Sequence, residues 1–411
     1  MTTAGRDMMP KPTEGPASRA RLVALASVLQ VAESLFPHPV PGIRLGLANV
    51  VTLVVIVRQG MAAGISLAAM RTVVSSLVLG TFLSPTFLLS FVGATGSALV
   101  MGLCWLVSVR GRLPLFSYLG ISVAGSAAHM AAQLAMVGLV VQVRAFLWLW
   151  PYFCLAAVIA GLLTGWVARG AMRCLEQFGQ DGSRAAGMAD FRPDQAMPDR
   201  RQTTATQKSG VQRPTLLDRV VPEVRVVATM AVCLVVFLTG RIWLYALVLV
   251  LLIAAALLGR VEVSRLWCSL RRSVPMLLTL GAVPLIFTLW GRRLFAWGPI
   301  FITETGLLES ARLLLRLLLL YSAATILMLT TPAGDLARGL GRLLRLFRFR
   351  VADRCRVWFE SLVLALNEYP EIWQVALAAL RRARPVGWAN LPAELIARLT
   401  VYAESAGVSE G

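Results

Sequence analysis

Five polar side chains stand inside or beside long apolar stretches in the first half of the chain: Arg44, Asn49, Arg71, His129 and Gln133. Arg71 lies about ten residues into its apolar stretch, and a charge at that depth is usually paired or functional. Two arginines without a facing carboxylate favour an anionic ligand. The five side chains therefore predict a binding site for a small anionic molecule, although Arg71 could instead satisfy backbone carbonyls in a helix bundle.

Carboxylates are missing from most of the first half, where no Asp or Glu occurs between Glu33 and Glu176. Carriers driven by protons or sodium commonly use intramembrane carboxylates, so ion-coupled transport is disfavoured except through Glu33. The two lysines, Lys11 and Lys208, do not follow the spacing of a glycine-rich phosphate-binding loop. No two aspartates are adjacent, so a magnesium–diphosphate site is not indicated. We expect no catalytic residue, no ATPase site and no directly bound cofactor.

The composition indicates a protein that folds in a membrane. Of 411 residues, 57% are hydrophobic and 15% are charged, the mean hydropathy is +0.71, and apolar runs of about 20 residues recur. The net charge of +19 comes almost entirely from arginines, which cluster near the ends of apolar runs. This pattern favours membrane topology and contact with anionic lipid over nucleic-acid binding. Six scattered cysteines and two distant histidines indicate neither disulfides nor a metal site.

Hydrophilic segments divide the chain into parts. Residues 1–19 are predicted to be a disordered N-terminus, and residues 176–219 a flexible linker. Residues 20–175 are predicted to form six spans, residues 220–331 about four, and residues 332–411 amphipathic helices. The predicted spans are 20–36, 43–59, 61–80, 83–109, 115–142, 146–170, 224–239, 242–258, 274–290 and 307–331.

The distribution of arginines between the two ends of the spans predicts the orientation. By the positive-inside rule, the N-terminus, the linker and the C-terminal region lie in the cytoplasm. The expected architecture is an all-α polytopic membrane protein. In it, a six-helix membrane bundle is joined by a cytoplasmic linker to a roughly four-span helical module with long amphipathic cytoplasmic helices.

The C-terminal region changes from apolar to amphipathic at Pro332. One helix is predicted to start there, with leucines on one face and arginines on the other, and a second to run from about Ala352 to Arg384. Such helices can dock on a partner protein. They can also lie in the lipid headgroup layer, and the sequence leaves both interpretations open.

Five blocks in the first half resemble the Gx transporter family, also labelled heptaprenyl diphosphate synthase component I. They are Glu33-Ser, Pro41-Gly-Ile-Arg-Leu-Gly-Leu-Ala-Asn49, Arg71-Thr with Gly80-Thr81, Ser90-Phe-Val-Gly-Ala-Thr-Gly-Ser-Ala-Leu-Val-Met101 and Phe116-Ser-Tyr-Leu-Gly-Ile-Ser122. The resemblance covers about residues 20–170. It implies a six-helix protein similar to the substrate-binding S components of energy-coupling-factor transporters. One block departs from the family, since His129-Met-Ala-Ala-Gln133 stands where His-Asn-x-Gly-Gln is usual, and this leaves the substrate open.

The second half resembles the transmembrane T component of the same transporter class. The matching runs are Arg312-Leu-Leu-Leu-Arg316, Leu329-Thr-Thr-Pro332 and Ala379-Leu-Arg-Arg-Ala-Arg384. In that family, Ala-Arg-Gly motifs on cytoplasmic helices dock on paired ATPases. The resemblance assigns this role to Arg382, Ala383 and Arg384, with Pro385 in place of the glycine. The literal Ala337-Arg338-Gly339 lies where the family has no such motif, and we interpret it as a chance match.

These observations lead to the hypothesis of a fused S-like and T-like membrane subunit of an ATP-driven uptake transporter in a bacterial inner membrane. Its expected partners are ATP-binding-cassette ATPase subunits in trans, which use the ATP, a small-molecule substrate and the lipid bilayer, with no nucleic acid. One alternative is a non-catalytic membrane subunit associated with heptaprenyl diphosphate synthesis. Another is a scaffold or lipid-binding protein without transport.

Overall fold

The computed structural model describes residues 15–35, 46–110, 116–141, 150–180, 220–238, 240–288, 290–297, 300–346, 352–382 and 391–405. Within these ranges the chain is almost wholly helical, with one short two-stranded sheet. The predicted class, an all-α polytopic membrane protein, is confirmed.

Six helices form the first half, as the apolar pattern predicts. Their bounds are α1 Pro16–Leu35, α2 Leu47–Gln59, α3 Met61–Leu79, α4 Pro85–Arg110, α5 Tyr118–Val141 and α6 Trp150–Gln180. Gly60 ends α2 and precedes α3 with φ of 96°, and Gly80 ends α3 with φ of 71°; a left-handed backbone of this kind is easiest for glycine. The helices cross two of the predicted segment boundaries. The start of α1 lies inside the predicted N-terminal tail, and the end of α6 lies inside the predicted linker.

The second half begins with three helices and a β-hairpin. The helices are α7 Pro222–Leu238, α8 Ile242–Leu258 and α9 Val263–Phe287, and the antiparallel strands are β1 Arg293–Trp297 and β2 Ile300–Thr303. The helix that contains most of the predicted span 274–290 begins earlier, at Val263, and continues through Pro275 and Pro284 to Phe287. The hairpin was not predicted at all.

The remaining helices are α10 Glu304–Thr330, α11 Ala333–Leu346, α12 Ala352–Arg382 and α13 Leu391–Ser405. Arg225 of α7 fixes the turn after α10, because its Nη1 donates to the Thr330 carbonyl at 2.7 Å and to the Thr331 hydroxyl at 3.1 Å. A cation at the C-terminal end of a helix also complements the helix dipole. Glu223, on the same helix, accepts a hydrogen bond from Arg342 of α11 at 2.8 Å. Two residues of α7 thus set the direction in which α11 leaves α10.

Six helices of the described residues are long and apolar enough to cross a bilayer: α3, α4, α5, α6, α9 and α10. Two further apolar helices are shorter, with 13 residues in α2 and 17 in α8, against the roughly 20 residues that a full crossing needs. About ten spans were predicted, so fewer helices meet the length and composition of a span than the hydropathy pattern indicates.

The two halves share one buried apolar cluster. It includes Leu22 and Leu25 of α1, Leu362 and Ile372 of α12, and Ile396 of α13. The side chains of α12 and α13 therefore pack on the first helix of the chain, even though a long linker separates the two halves in sequence.

Polar contacts reinforce this joint. Arg21 of α1 donates to Glu368 of α12 at 3.4 Å, and the Tyr402 hydroxyl of α13 donates to Glu371 of α12 at 2.9 Å. Burial, followed by the adjacent Glu371 carboxylate, raises the pKa of the Tyr402 phenol, so the hydroxyl stays protonated and remains a donor. At Gly170 of α6 an added Cβ would lie 2.7 Å from the Ala393 Cβ, so α13 approaches α6 closely.

Candidate functional site

The first bundle contains a cavity of about 40 Å³, room for a few water molecules. Residues from α1 to α6 line it, and most of its polar side chains come from α1, α3 and α5. The polar side chains on its wall are Gln30, Glu33, Asn49, Arg71, Thr72, Ser90, Ser126, His129 and Gln133. Four of the five predicted binding residues, Asn49, Arg71, His129 and Gln133, thus meet in one place. The fifth, Arg44, lies outside the described residues.

Arg71 is the fixed positive charge of the cavity, with 4% of its surface exposed. Its Nη1 donates to Gln30 Oε1 at 2.7 Å, and its Nη2 donates to Asn49 Oδ1 at 2.6 Å. Buried guanidinium groups need such partners. These two amides hold the guanidinium between α1 and α2. The arrangement suits recognition of a carboxylate or phosphate group.

Glu33 lies on the same wall and is also 4% exposed. Its Oε1 accepts the backbone N–H of Gly46 at 2.5 Å, at the start of α2, where the helix dipole favours a negative charge. Gly46 has φ of 83°, and a Cβ there would lie 3.3 Å from Asn49 Nδ2. The expectation that no carboxylate faces the site is therefore wrong, because α1 brings Glu33 back to the cavity despite its position before the carboxylate-free stretch.

His129 and Gln133 stand one turn apart on α5 and face Gly93 of α4. An added Cβ at Gly93 would lie 2.9 Å from His129 Cε1 and 2.9 Å from Gln133 Cγ, closer than real Cβ contacts. The amide of Gln133 also reaches the Leu89 carbonyl at 3.5 Å. Gly93 therefore leaves the space that the two polar side chains occupy, which the sequence pattern did not reveal.

Gln30 was also missed by the sequence analysis. It lies three residues before Glu33 on α1, so both side chains project from the same face of the helix. This spacing indicates a polar face on α1, but it does not indicate that this face packs into the bundle.

The predicted ATPase-coupling residues lie at the edge of the described structure. Arg382 is the last residue of α12, and Ala383 and Arg384 lie outside the described residues. The other Ala-Arg-Gly sequence is placed inside the fold, since Ala337 is fully buried and a Cβ at Gly339 would lie 3.4 Å from the Pro222 Cβ. The close approach of α7 explains Gly339 and burial in the apolar cluster explains Ala337, so neither small residue requires a partner protein.

Comparison with known families separates the chain into the same two halves. Residues 22–171 match the family model described as heptaprenyl diphosphate synthase component I. Residues 214–399 match the family model described as cobalt transport protein. Both resemblances predicted from the sequence are confirmed, and the first match contains every described residue named above on the cavity wall.

Two curated relatives carry the name energy-coupling factor transporter transmembrane protein EcfT. The one from Thermosediminibacter oceani is 29% identical over 159 residues, which is 39% of this chain and 59% of the relative. The one from Brevibacillus brevis is 30% identical over 128 residues, which is 31% of this chain and 48% of the relative. The chain thus spans between about half and three fifths of the length of these relatives. Among the described residues there is no cluster of three His, Cys, Asp or Glu side chains that could hold a metal ion.

Proposed function

We propose that this chain is the membrane subunit of an ATP-driven uptake transporter of the energy-coupling-factor class, with a substrate-binding module fused to a coupling module. Residues 20–175 bind the substrate and residues 220–411 connect that bundle to ATPase subunits in trans. We assign the hydrolysis of ATP to those partner subunits and not to this chain. In this proposal it lies in the bacterial inner membrane, with the N-terminus, the linker and the C-terminal helices in the cytoplasm.

The observation that carries the proposal is the double role of α1. Near its start, Arg21 pairs with Glu368 of α12. Near its end, Gln30 and Glu33 hold Arg71 and the start of α2 at the cavity. From Arg21 to Glu33 a helix rises about 18 Å, so one rigid element joins the amphipathic helices to the cavity. A displacement of α12 by an ATPase would then move two side chains of the cavity wall.

The cavity supports a small substrate with an anionic group. Arg71 supplies a charge and forked donors for a carboxylate or phosphate. Glu33 is held by the Gly46 amide, and it would select against a second anionic group placed on its side of the cavity. The space of about 40 Å³ is small for a whole micronutrient, so substrate entry requires the helices around the cavity to separate, as movement of α1 would allow.

The two matched families name the strongest competing functions, and one purification distinguishes them. The full chain is captured from native membranes and its protein partners are identified by mass spectrometry. Retention of ATP-binding-cassette ATPases supports the proposal. A soluble prenyl diphosphate synthase in their place would establish the alternative role in heptaprenyl diphosphate synthesis, and capture of neither would also overturn the transporter function.

The coupling residues provide the matched variants of this experiment. The double variant Arg382→Ala with Arg384→Glu is expected to lose the ATPases, because it removes the charges assigned to docking. Arg338→Glu changes an exposed arginine of α11 that pairs with Asp335, and it is expected to retain them. Equal retention by both variants would show that the ATPases do not dock through Arg382 and Arg384.

A further inference from the structure

The β-hairpin between α9 and α10 lies at the end of the second module that is remote from the amphipathic helices. The hairpin leads directly into α10, which runs 27 residues from Glu304 to Thr330 before α11 begins. That length corresponds to about 40 Å, the thickness of a bilayer with its headgroups. α10 is one of the helices long and apolar enough to cross a bilayer, and in that arrangement the hairpin and α11 lie at opposite faces of the membrane.

Six consecutive residues before and within β1, residues 290–295, are exposed. Three of them are large and apolar, with Trp290 63%, Leu294 52% and Phe295 59% exposed. The other side chains are Arg292 and Arg293, which stand between them. Aromatic residues and arginines together at the end of a span are typical of the membrane–water interface, where the rings enter the acyl boundary and the guanidinium groups reach phosphate.

The hairpin presents these side chains from a fixed backbone. The Thr303 hydroxyl donates to the Thr288 carbonyl at 2.8 Å, the Glu304 amide donates to the Arg292 carbonyl at 2.9 Å, and the Thr305 hydroxyl donates to the Trp290 carbonyl. The Thr303 side chain also caps α10 by accepting the Gly306 amide at 3.1 Å. Since the backbone is already ordered, binding to a surface would lose little conformational entropy.

We propose that this hairpin is a lipid anchor, lying in the headgroup layer with Arg292 and Arg293 on lipid phosphates and Trp290, Leu294 and Phe295 at the acyl boundary. Continuity with the spans favours lipid over a protein partner. The span α9 ends at Phe287 and the span α10 begins at Glu304, directly after β2. The exposed side chains are therefore held at the depth where the apolar spans meet the headgroups, and they extend the lipid-facing surface of the module.

Spin-label accessibility measures this depth directly. The six native cysteines are replaced, Phe295→Cys is labelled, and the full chain is reconstituted in vesicles of phosphatidylcholine and phosphatidylglycerol. The label is expected to be reached by oxygen more than by an aqueous nickel chelate. Two further labels provide reference values for the accessibility to oxygen and to nickel. They are Leu249→Cys on the exposed face of the apolar helix α8 and Arg338→Cys on the exposed face of α11.

Charge reversal then tests the role of the arginines. With Arg292→Glu and Arg293→Glu, the population of label in the headgroup layer is expected to fall roughly fivefold for each arginine removed. A label at 295 as open to nickel as the one at 338 would overturn the proposal. A label closed to both reagents would also overturn it, since this would show that a protein surface, such as a second copy of the chain, covers the hairpin.

Discussion

At the residue scale, the charge of Arg71 decides what the cavity can bind. The variant Arg71→Gln removes that charge, so the amount of anionic small molecule that co-purifies with the protein should fall at least tenfold. This follows from the roughly 1.5–3 kcal/mol of a hydrogen bond to a charged group. Arg71→Lys keeps the charge but loses the forked pair of donors. The amount of molecule bound to this variant should lie between the amounts bound to the unaltered protein and to Arg71→Gln. Native mass spectrometry of the purified protein measures the bound fraction.

A second intramembrane arginine controls for the general effect of removing such a charge. Arg316 of α10 donates from Nε to the Tyr245 hydroxyl at 3.1 Å, far from the cavity residues in sequence and in the other module. Arg316→Gln should leave the co-purified molecule unchanged. Equal loss in both variants would mean that bound molecule reports folding rather than contact with Arg71.

The cavity was only partly predictable from the sequence. An apolar run shows that a polar residue within it is buried, but it does not show the direction in which a side chain points. Arg71, His129 and Gln133 are conspicuous, since each is polar within an apolar run. Gln30 and Glu33 lie near the end of α1, where polar residues are ordinary, so their direction into the bundle depends on how α1 packs. The sequence pattern cannot specify that packing.

At the element scale, the contact between α4 and α5 depends on Gly93. In Gly93→Ala the new methyl group would meet His129 and Gln133 at 2.9 Å, so both side chains must shift. The expected cost is about 1–3 kcal/mol of stability, together with weaker ligand binding. Thermal unfolding in detergent measures the first and co-purified ligand the second.

A glycine on α5 provides the matched comparison. An added Cβ at Gly138 would meet nothing within 4 Å, so Gly138→Ala should be neutral or stabilising by up to about 1 kcal/mol through helix propensity. A Gly93→Ala protein as stable as Gly138→Ala would show that α4 and α5 separate easily at the cavity.

Elements of the second module show why helix boundaries there were harder to predict. The predicted spans 242–258 and 274–290 leave Arg271 and Arg272 between them, yet both residues lie within α9, which begins at Val263. The hairpin was missed because its strands have five and four residues, too few for an alternating pattern to stand out. The hairpin is held in place by hydrogen bonds of the Thr303 and Thr305 side chains, which connect it to the ends of α9 and α10.

At the scale of the whole molecule, the halves are joined by α1, α12 and α13 as well as by the linker. The side chain of Arg21 is 12% exposed and that of Glu368 is 26% exposed, so the ion pair is partly shielded from solvent. Arg21→Glu would place a carboxylate against Glu368 and near Glu371. If the linker is cut at a protease site inserted within residues 181–219, the halves of the unaltered protein should still co-purify, and Arg21→Glu should lower the fraction that does so.

The reciprocal variant makes this prediction specific to the ion pair. Arg21→Glu combined with Glu368→Arg restores opposite charges and should recover co-purification of the cut halves. Arg342→Glu disrupts an exposed pair with Glu223 inside the second half and should leave the halves together. Separation of the unaltered halves after cutting would mean that the linker alone holds them. In that case α1 would have no lasting contact through which α12 could move the cavity wall.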